Sequence, residues 1–387
     1  MVIDTKIMRF MKAAKVICSK NTVNKITGIA YNNQMIVATN CNAQLTYTSD
    51  EDRKDTIYLP VKAIDYIMSF GKGSKIDFKV EGRVCKISSG RSHTQFALLT
   101  EDALLSMGRI ETDNIKPIRL SPEAIALLKN VNTAPTNKSG KPAAQGISIR
   151  TENDNVVAYG TDGTKMAYAI LAEDTIQNID INLHKDTLSL ILSTSLFDEG
   201  ADIVSADNNR KLVLTSIDGI RLIVSQYDYN GLDAKSIINT IDKSNKKISL
   251  NKNDLFNICK RADLLGDKKT IYEIARMQIS KDTLTIKWRG ATSSLSEYIP
   301  IKNYSSGDDI EIGVNINLLA IALSCMNTDI IEIHHGNSLS AYYLTDGKID
   351  YMIMPVRLGN SLLLQGYQMV PCFFYIYKSK KHLKTKR

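Results

Sequence analysis

One arrangement recurs six times along the sequence: a segment with helical periodicity, followed by short alternating strands and tight turns. The helical segments begin near Met8, after Pro60, and at Ser121, His184, Asn251 and Asn315. In SPEAIALLKNV, Ser121 suits the N-cap, and Pro122 suits the first helical position, where its missing N–H has no helical partner to lose. A small repeated unit predicts several similar domains, and 387 residues are too many for one ordinary core.

Tight turns divide the strand regions into hairpins. Asp-Gly pairs stand at 162–163, 218–219 and 346–347, and further turns are predicted at 81–82, at 153–155 and near Gly336. Asp-Gly between alternating runs is a strong hairpin signal, because glycine reaches positive φ at little cost.

The six units group as three pairs, which polar segments separate. These segments are ETDNIKPIRL and IINTIDKSNKKISL. We predict an α+β fold of three repeated domains, each with two helices packed on antiparallel sheets. The predicted domains are residues 1–114, 115–244 and 245–358, and a basic C-terminal extension follows at 359–387.

The positive charge of the chain is concentrated at its C-terminal end. Six of the 49 basic residues, and none of the 41 acidic ones, fall in 359–387, so the rest of the chain carries a net charge of only +2. An anion-binding role in that part therefore requires basic residues gathered on one surface. The lysine-rich end by itself is typical of a solvated terminus.

Motifs of several enzyme and metal-binding classes are absent from the sequence. No GxxxxGK[ST], GxGxxG or GxSxG occurs, the six cysteines form no CxxC pair, and the five histidines form no HxxxH or HExxH spacing. The acidic cluster in TSDEDRKD lies in a charged run that is typical of a solvated loop. The cysteines fit buried free thiols in a reducing cytoplasm. We therefore predict no enzymatic activity, no cofactor and no metal site.

No secretion signal or membrane-spanning segment is predicted. The N-terminus opens with Asp4 and Lys6 and has no long apolar stretch. The apolar segment 361–377 contains Pro371 and is shorter than a usual membrane span.

Five motifs, in order along the chain, carry a resemblance to a known family. They are SSGRSHTQFALLTED (88–102), YGTDGTKMAYAIL (159–171), NDLFNICKRADLL with YEIARMQIS, DIEIGVNINLLAIAL, and YMIMPVRL (351–358). Over residues 1–358 the chain resembles the bacterial sliding clamp, the beta subunit of DNA polymerase III. The resemblance implies a head-to-tail dimeric ring of six similar domains, with helices around duplex DNA and sheets at the outer rim. It also implies a nonenzymatic processivity factor that tethers the replicative polymerase.

The resemblance further implies a pocket for short apolar tails of the polymerase catalytic subunit, the clamp loader and other proteins with a clamp-binding motif. One wall would be formed by Ile353, Met354, Pro355, Val356, Arg357 and Leu358. The opposing wall would be formed by Thr161, Gly163, Thr164, Lys165 and Met166, with Ile237 and Tyr272 beside it. Methionine and aliphatic side chains suit a groove that adapts to several ligands.

The extension 359–387 departs from the family, whose chains usually end at the position of Leu358. Its apolar half could enter the pocket as a built-in competitor, and its basic half could contact DNA or an acidic partner. It could also be a disordered addition without function.

A ring of this family needs basic residues toward the DNA and an apolar contact between its two copies. Phosphate contacts bind without reading sequence and weaken with salt. The DNA-binding candidates are Arg9, Lys12, Lys15, Lys20, Lys25, Lys138 and Lys141, with Lys129, Lys260 and Arg261 as further candidates on helices. The residues implied at the dimer seam are Leu264 and Leu265, facing Thr94 and Phe96. The family has a large apolar residue in place of Thr94, so the dimer contact is expected to be weaker here.

Two other functions stay open on the sequence alone. One is a divergent clamp-like scaffold that binds proteins but does not encircle DNA, and the other is an enzyme of an unrecognised class. The clamp interpretation implies a cytoplasmic, nucleoid-associated protein without membrane partners.

Overall fold

Helices and hairpins alternate along the chain as predicted, and the fold is α+β. The structure, a computed structural model, describes residues 1–19, 28–40, 42–100, 112, 115–229, 234–238, 246–266, 274–290, 292–305 and 309–358. The helices are α1 (Thr5–Ser19), α2 (Val61–Met68), α3 (Pro122–Val131), α4 (Lys185–Ser193), α5 (Ala234–Ile238), α6 (Lys252–Leu265) and α7 (Ile316–Ser324). A 3₁₀ turn covers Pro142–Ala144.

The strands are short, apart from the first two. They are β1 (Gly28–Thr39), β2 (Ala43–Pro60), β3 (Asp77–Glu81), β4 (Val84–Ser89), β5 (Ser92–Ala97), β6 (Ile118–Leu120), β7 (Gly146–Glu152), β8 (Asn155–Thr161), β9 (Lys165–Ala172), β10 (Asp180–His184) and β11 (Ala201–Ala206). The later strands are β12 (Lys211–Ser216), β13 (Arg221–Ser225), β14 (Lys247–Asn251), β15 (Ile274–Ile279), β16 (Thr283–Arg289), β17 (Ser294–Pro300), β18 (Asn303–Ser305), β19 (Ile310–Asn315), β20 (Ile330–His334), β21 (Tyr342–Thr345) and β22 (Ile349–Ile353).

All six predicted helices are present, and the short helix α5 is an addition that periodicity did not predict. Side chains cap several of the helix starts that the sequence indicated. Ser121 Oγ accepts a hydrogen bond from the N–H of Ala124 at 3.2 Å. Asn251 Oδ1 accepts from the N–H groups of Asn253 and Asp254. Such caps satisfy N–H groups that have no partner within the helix.

The predicted Asp-Gly turns are also present. Gly163, Gly219 and Gly347 have φ of 93°, 79° and 87°, a region that suits glycine. Asn153 and Asp154 both have positive φ and join β7 to β8 by the kind of tight turn that the sequence predicted.

The chain divides into two compact units. The first contains Met1–Lys129, Ser148–Val157 and Leu171–Asp228. Its strands form a six-stranded sheet in the order β1-β2-β13-β12-β11-β6, a three-stranded sheet in the order β3-β4-β5, and the neighbours β10-β7-β8. Helix α1 packs against β1 and β2, where the ring of Phe10 lies 5.7 Å from the ring of Tyr47.

The second unit contains Asn130–Ile147, Ala158–Ile170 and Tyr229–Arg387. Its strands follow the order β9-β22-β21-β20-β14-β18, and a separate four-stranded sheet follows the order β17-β16-β15-β19. Helices α6 and α7 pack on each other and bury Leu255, Ile258, Leu319 and Leu323. The finer division into domains 1–114, 115–244 and 245–358 stays a prediction.

Candidate functional site

The turn between β8 and β9 is organised by its own side chains. Asp162 Oδ1 accepts hydrogen bonds from the N–H groups of Thr164 and Lys165 at 2.8 and 3.0 Å, and from the Thr164 hydroxyl at 2.7 Å. Thr161 Oγ1 accepts from the N–H of Gly163 at 2.9 Å and donates to the Lys165 carbonyl at 2.6 Å. The predicted pocket residues of this segment therefore lie in one fixed turn.

Lys165 is mostly buried and is neutralised within this turn. Its Nζ makes an ion pair with Asp162 Oδ2, and both side chains are largely covered. A buried cation requires such a partner, because loss of hydration otherwise makes the charge costly. The positive charge of Lys165 is thus not free to recognise a ligand.

Strand β22 brings the closing segment of the chain to this turn. Ile353 pairs with Lys165, and Met352 pairs with Met166, in an antiparallel register. The N–H of Met354 then donates to the Thr164 carbonyl at 2.8 Å. We call Thr161–Met166 and Ile353–Leu358 the β9–β22 site.

Past Met354 the chain is held by the second sheet of the same unit. The N–H of Val356 donates to the carbonyl of Gly313, in β19, at 2.8 Å. A Cβ added at Gly313 would lie only 3.0 Å from Leu358 Cδ2, so the leucine packs directly on the glycine. Arg357 is exposed, whereas Pro355 is buried and Leu358 is half-buried.

A polar network supports β22 just before the β9–β22 site. The Tyr351 hydroxyl lies 3.1 Å from Thr133 Oγ1, which lies 3.6 Å from Cys325 Sγ. Asn130 Nδ2 donates to the carbonyl of Cys325 at 2.9 Å. Burial raises the pKa of the Tyr351 hydroxyl, which therefore stays protonated and able to donate.

Most apolar side chains of the β9–β22 site are covered. Met166, Met354 and Val356 expose 0%, 2% and 2% of their surface. Ile237, from α5, is also buried and belongs to the same unit. Tyr272 lies outside the described residues. Sequence reasoning missed Gly313, Thr133 and Tyr351, because their roles depend on contacts between distant parts of the chain.

The candidate DNA-binding residues on α1 differ in whether their charge is already paired with an acidic side chain. Arg9 makes an ion pair with Asp218, and its Nη2 donates to the Leu196 carbonyl at 3.1 Å. Lys15 Nζ lies 2.5 Å from Asp65 Oδ1. Lys12 is exposed and has no ion pair within the part of the chain that the structure describes.

The remaining candidates lie on other elements. Lys138 and Lys141 are exposed in the loop between α3 and β7, and Lys129 is exposed on α3. Lys260 lies over the ring of Phe256 at 4.3 Å. Lys20 and Lys25 lie outside the described residues.

The predicted seam residues lie on or beside strands that end their sheets within the described ranges. Strand β5, with Thr94 and Phe96, is the last strand of its three-stranded sheet, and Phe96 packs edge-on against Tyr66 of α2 at 6.0 Å. Leu264 and Leu265 end α6 and expose 82% and 44% of their surface. Neither leucine is a core residue.

The end of α6 is tied to a second edge strand. Arg261 binds Glu297 of β17 through two hydrogen bonds, Nε to Oε1 at 2.7 Å and Nη2 to Oε2 at 2.5 Å. These bonds raise the pKa of the Arg261 guanidinium, which stays charged. Among the strands that the structure describes, β17 ends its sheet, so α6 and this edge strand form one surface.

Among the described residues, no group of three or more His, Cys, Asp and Glu side chains could hold a metal ion. No helix in the described ranges is long and apolar enough to cross a membrane.

Comparison with known families matches residues 241–357 to the family described as DNA polymerase III beta subunit, C-terminal domain. A search of curated proteins finds no match.

Solved structures share the fold of nearly the whole chain. The DNA polymerase III subunit beta from Pseudomonas aeruginosa has a TM-score of 0.79 at 16% identity and covers 91% of this chain and 97% of that chain. The beta subunit from DNA polymerase of Streptococcus pyogenes has a TM-score of 0.80 at 18% identity, with 92% and 99% covered. The DNA polymerase sliding clamp from Bacillus subtilis has a TM-score of 0.78 at 15% identity, with 92% and 97% covered. The family match confirms the predicted resemblance for residues 241–357, and the solved structures confirm the predicted fold over nearly the whole chain.

Proposed function

We propose that this chain, whose residues 241–357 belong to the family of C-terminal domains of the DNA polymerase III beta subunit, works as a DNA sliding clamp. The observation that carries the proposal is the clamp fold over 92% of the chain, together with the family match of its C-terminal part. The clamp would be a nonenzymatic processivity factor in the cytoplasm, associated with the nucleoid. Its hold on DNA would be topological, because a closed ring cannot leave a circular duplex.

The ring would close through the two open edges of the chain. Strand β5 of one protomer would add to β17 of its partner, since unpaired strand edges readily pair with a further strand. Leu264 and Leu265 would meet Thr94 and Phe96 beside that strand pair. Burying an exposed leucine stabilises the contact by roughly 1.5–3 kcal/mol.

Basic side chains on helices and on the loop with Lys138 and Lys141 would contact phosphates in the hole. Such contacts are exchanged easily, because they carry no sequence information, and this permits sliding. Lys12 and Lys138 are the strongest candidates, since both are exposed and neither makes an ion pair in the described chain.

The β9–β22 site, with Ile237 and Tyr272, would bind apolar tails of the polymerase catalytic subunit, the clamp loader and other partners. The support is a rigid turn and strand that carry the buried methionines Met166 and Met354 and end in the half-buried Leu358. Unbranched methionine side chains can repack around different ligands.

Retention on circular DNA tests the proposal. The full chain is incubated with a linear plasmid, a ligase then circularises the plasmid so that any threaded ring is trapped, and the product is passed through a gel-filtration column at high salt, where phosphate contacts are weak. We expect the chain to elute with the plasmid and to be released after the plasmid is cut once. Equal loss from circular and linear plasmid would contradict a closed ring.

A scaffold that binds proteins without encircling DNA is the second candidate. It is favoured by Thr94, a small polar residue at the proposed seam, and by the internal ion pairs of Arg9 and Lys15. A particle of 43.1 kDa at micromolar protein concentration would support it, whereas twice that mass supports the ring.

A further inference from the structure

Tyr298 is a large side chain that the single chain leaves open to solvent. It lies on β17, which ends its sheet within the described ranges, and 73% of its surface is exposed. The residue opposite it on β16 is Thr285, which is too small to cover the tyrosine ring. Tyrosine is enriched among the residues that contribute most to protein interfaces, so this position on an edge strand suits contact with a partner.

The two faces of β17 carry different side chains. Glu297 faces α6, where it is bonded to Arg261, and Tyr298 lies on the opposite, outer face, because neighbouring residues of a strand point to opposite sides. Leu264 and Leu265, at the end of α6, are exposed on the first side. A strand that adds to this edge would therefore be held from both sides.

Strand β5 has a matching two-sided pattern. Thr94 and Phe96 are half-buried on the side of α2, where Phe96 packs against Tyr66. The residues on the outer face of β5 are all exposed, and they are His93, Gln95 and Ala97. If β5 joins β17 with the helices of both copies on the same side, Tyr298 meets this outer face.

The two edge strands carry almost no charge of their own. Glu297 is the only Lys, Arg, Asp or Glu residue within β5 and β17, and both of its carboxylate oxygens are bonded to Arg261 of the same chain. The neighbouring strands β4 and β16 contain Lys86, Lys287 and Arg289 and no acidic residue. Charges of the same sign do not attract each other, so these strands offer no ion pair between two copies.

We propose that Tyr298 packs on the outer face of β5 in a second copy of this chain, and that uncharged side chains rather than ion pairs hold the two copies together. The inference rests on the ring put forward under the proposed function. A second copy is the partner because one chain offers both edges with the same two-sided pattern. Salt screens ion pairs but not apolar contacts, so the ring stays closed at salt concentrations that weaken its hold on phosphates.

Sedimentation equilibrium of the full chain measures the contribution of Tyr298. A head-to-tail ring of two copies contains the seam twice. Loss of an aromatic interface residue costs about tenfold at each seam, so we expect Tyr298→Ser to raise the dissociation constant of the dimer about a hundredfold. The matched control is Ile217→Ser, because Ile217 is 58% exposed in the turn between β12 and β13. A rise below about tenfold for Tyr298→Ser, or an equal rise for Ile217→Ser, overturns the proposal.

Disulfide cross-linking locates the contact. Tyr298→Cys is combined in turn with His93→Cys, Gln95→Cys or Ala97→Cys on the outer face of β5, and with Thr94→Cys on the other face. We expect at least one outer pair to give a covalent dimer on a non-reducing gel, and the Thr94 pair to stay monomeric, because its side chain points away. Tyr298→Cys alone controls for links to the native cysteines. No covalent dimer from the three outer pairs, or a stronger link from the Thr94 pair, overturns the proposal.

Salt dependence tests whether ion pairs hold the copies together. Between about 0.05 M and about 0.5 M NaCl, we expect the dissociation constant of the dimer to rise by less than about fivefold. A larger rise overturns the uncharged seam. If Tyr298→Ser leaves the dimer intact and the chain is retained on circular plasmid, the ring stands and only this inference fails. Equal loss from circular and linear plasmid contradicts the ring itself.

Discussion

At the residue scale, Asp162 combines two roles that one carboxylate can fill at once. Oδ1 accepts three hydrogen bonds that fix the turn, and Oδ2 neutralises Lys165. An asparagine at this position keeps an oxygen for the turn but removes the charge. The two roles can therefore be separated by substitution.

We expect Asp162→Asn to lower the free energy of unfolding by about 2–4 kcal/mol, because it leaves the buried Lys165 cation unpaired. The measurement is urea unfolding followed by circular dichroism. The double variant Asp162→Asn/Lys165→Met removes both charges and should recover most of the loss. If the double variant is less stable than Asp162→Asn, the ion pair is not the cause.

The turn itself could be predicted from the sequence, but the ion pair could not. Asp162-Gly163 between alternating runs signals a hairpin, and the positive φ of Gly163 agrees with it. Burial of Lys165 depends on β22, which comes much later in the chain and packs beside β9. The local sequence pattern around Lys165 does not show that β22 will pair with β9.

At the element scale, the longer helices were predictable because they have a clear apolar period and several begin with a capping residue. Asn251 and Asn315 each accept hydrogen bonds from two backbone N–H groups of the following turn. Helix α5 was not predicted, since five residues are too few to establish a helical period. The strand order β9-β22-β21 was also not predicted, because the pairing of strands that are distant in the chain leaves no signal in the local sequence.

We expect Asn251→Ala to destabilise the chain by about 1 kcal/mol, because two N–H groups of α6 lose their acceptor. Asn251→Asp keeps the acceptor and adds a favourable charge near the helix N-terminus, so it should be neutral or slightly stabilising. Chemical unfolding of both variants measures the difference. Equal loss in the two variants would show that the side chain acts through some other contact.

The proposed DNA-binding lysines on helices and loops can be tested through the salt dependence of DNA binding. Lys12→Gln or Lys138→Gln should each reduce the slope of log affinity against log salt by about 1, if each lysine neutralises one phosphate. The measurement uses a short linear duplex, so that topology plays no part. Lys287→Gln is the matched control, since Lys287 is exposed on β16, in a sheet that the proposed ring would place at its outer rim. An equal change in all three variants would mean that the whole surface attracts DNA without a preferred face.

At the scale of the whole molecule, the proposed ring depends on surfaces that the single chain leaves uncovered. Leu264 stands at the end of α6, beside the strand edge of β17 that Arg261 and Glu297 hold in place. On the other edge strand, β5, the aromatic ring of Phe96 already packs against Tyr66. Only part of the Phe96 side chain therefore remains available to a partner. The sequence located these residues through the family resemblance, whereas only the structure shows that both strands end their sheets.

We expect Leu264→Asp to weaken the dimer by roughly 2 kcal/mol or more, because it would place a charge in an apolar contact. Stability of the folded monomer should change little, since 82% of this side chain is exposed in the single chain. Ile176→Asp is the matched control, because Ile176 is 85% exposed but belongs to no proposed seam. Sedimentation equilibrium across a range of protein concentrations measures both variants. If Leu264→Asp and Ile176→Asp dissociate to the same extent, the end of α6 is not part of the dimer interface, and the proposed ring must close through another surface.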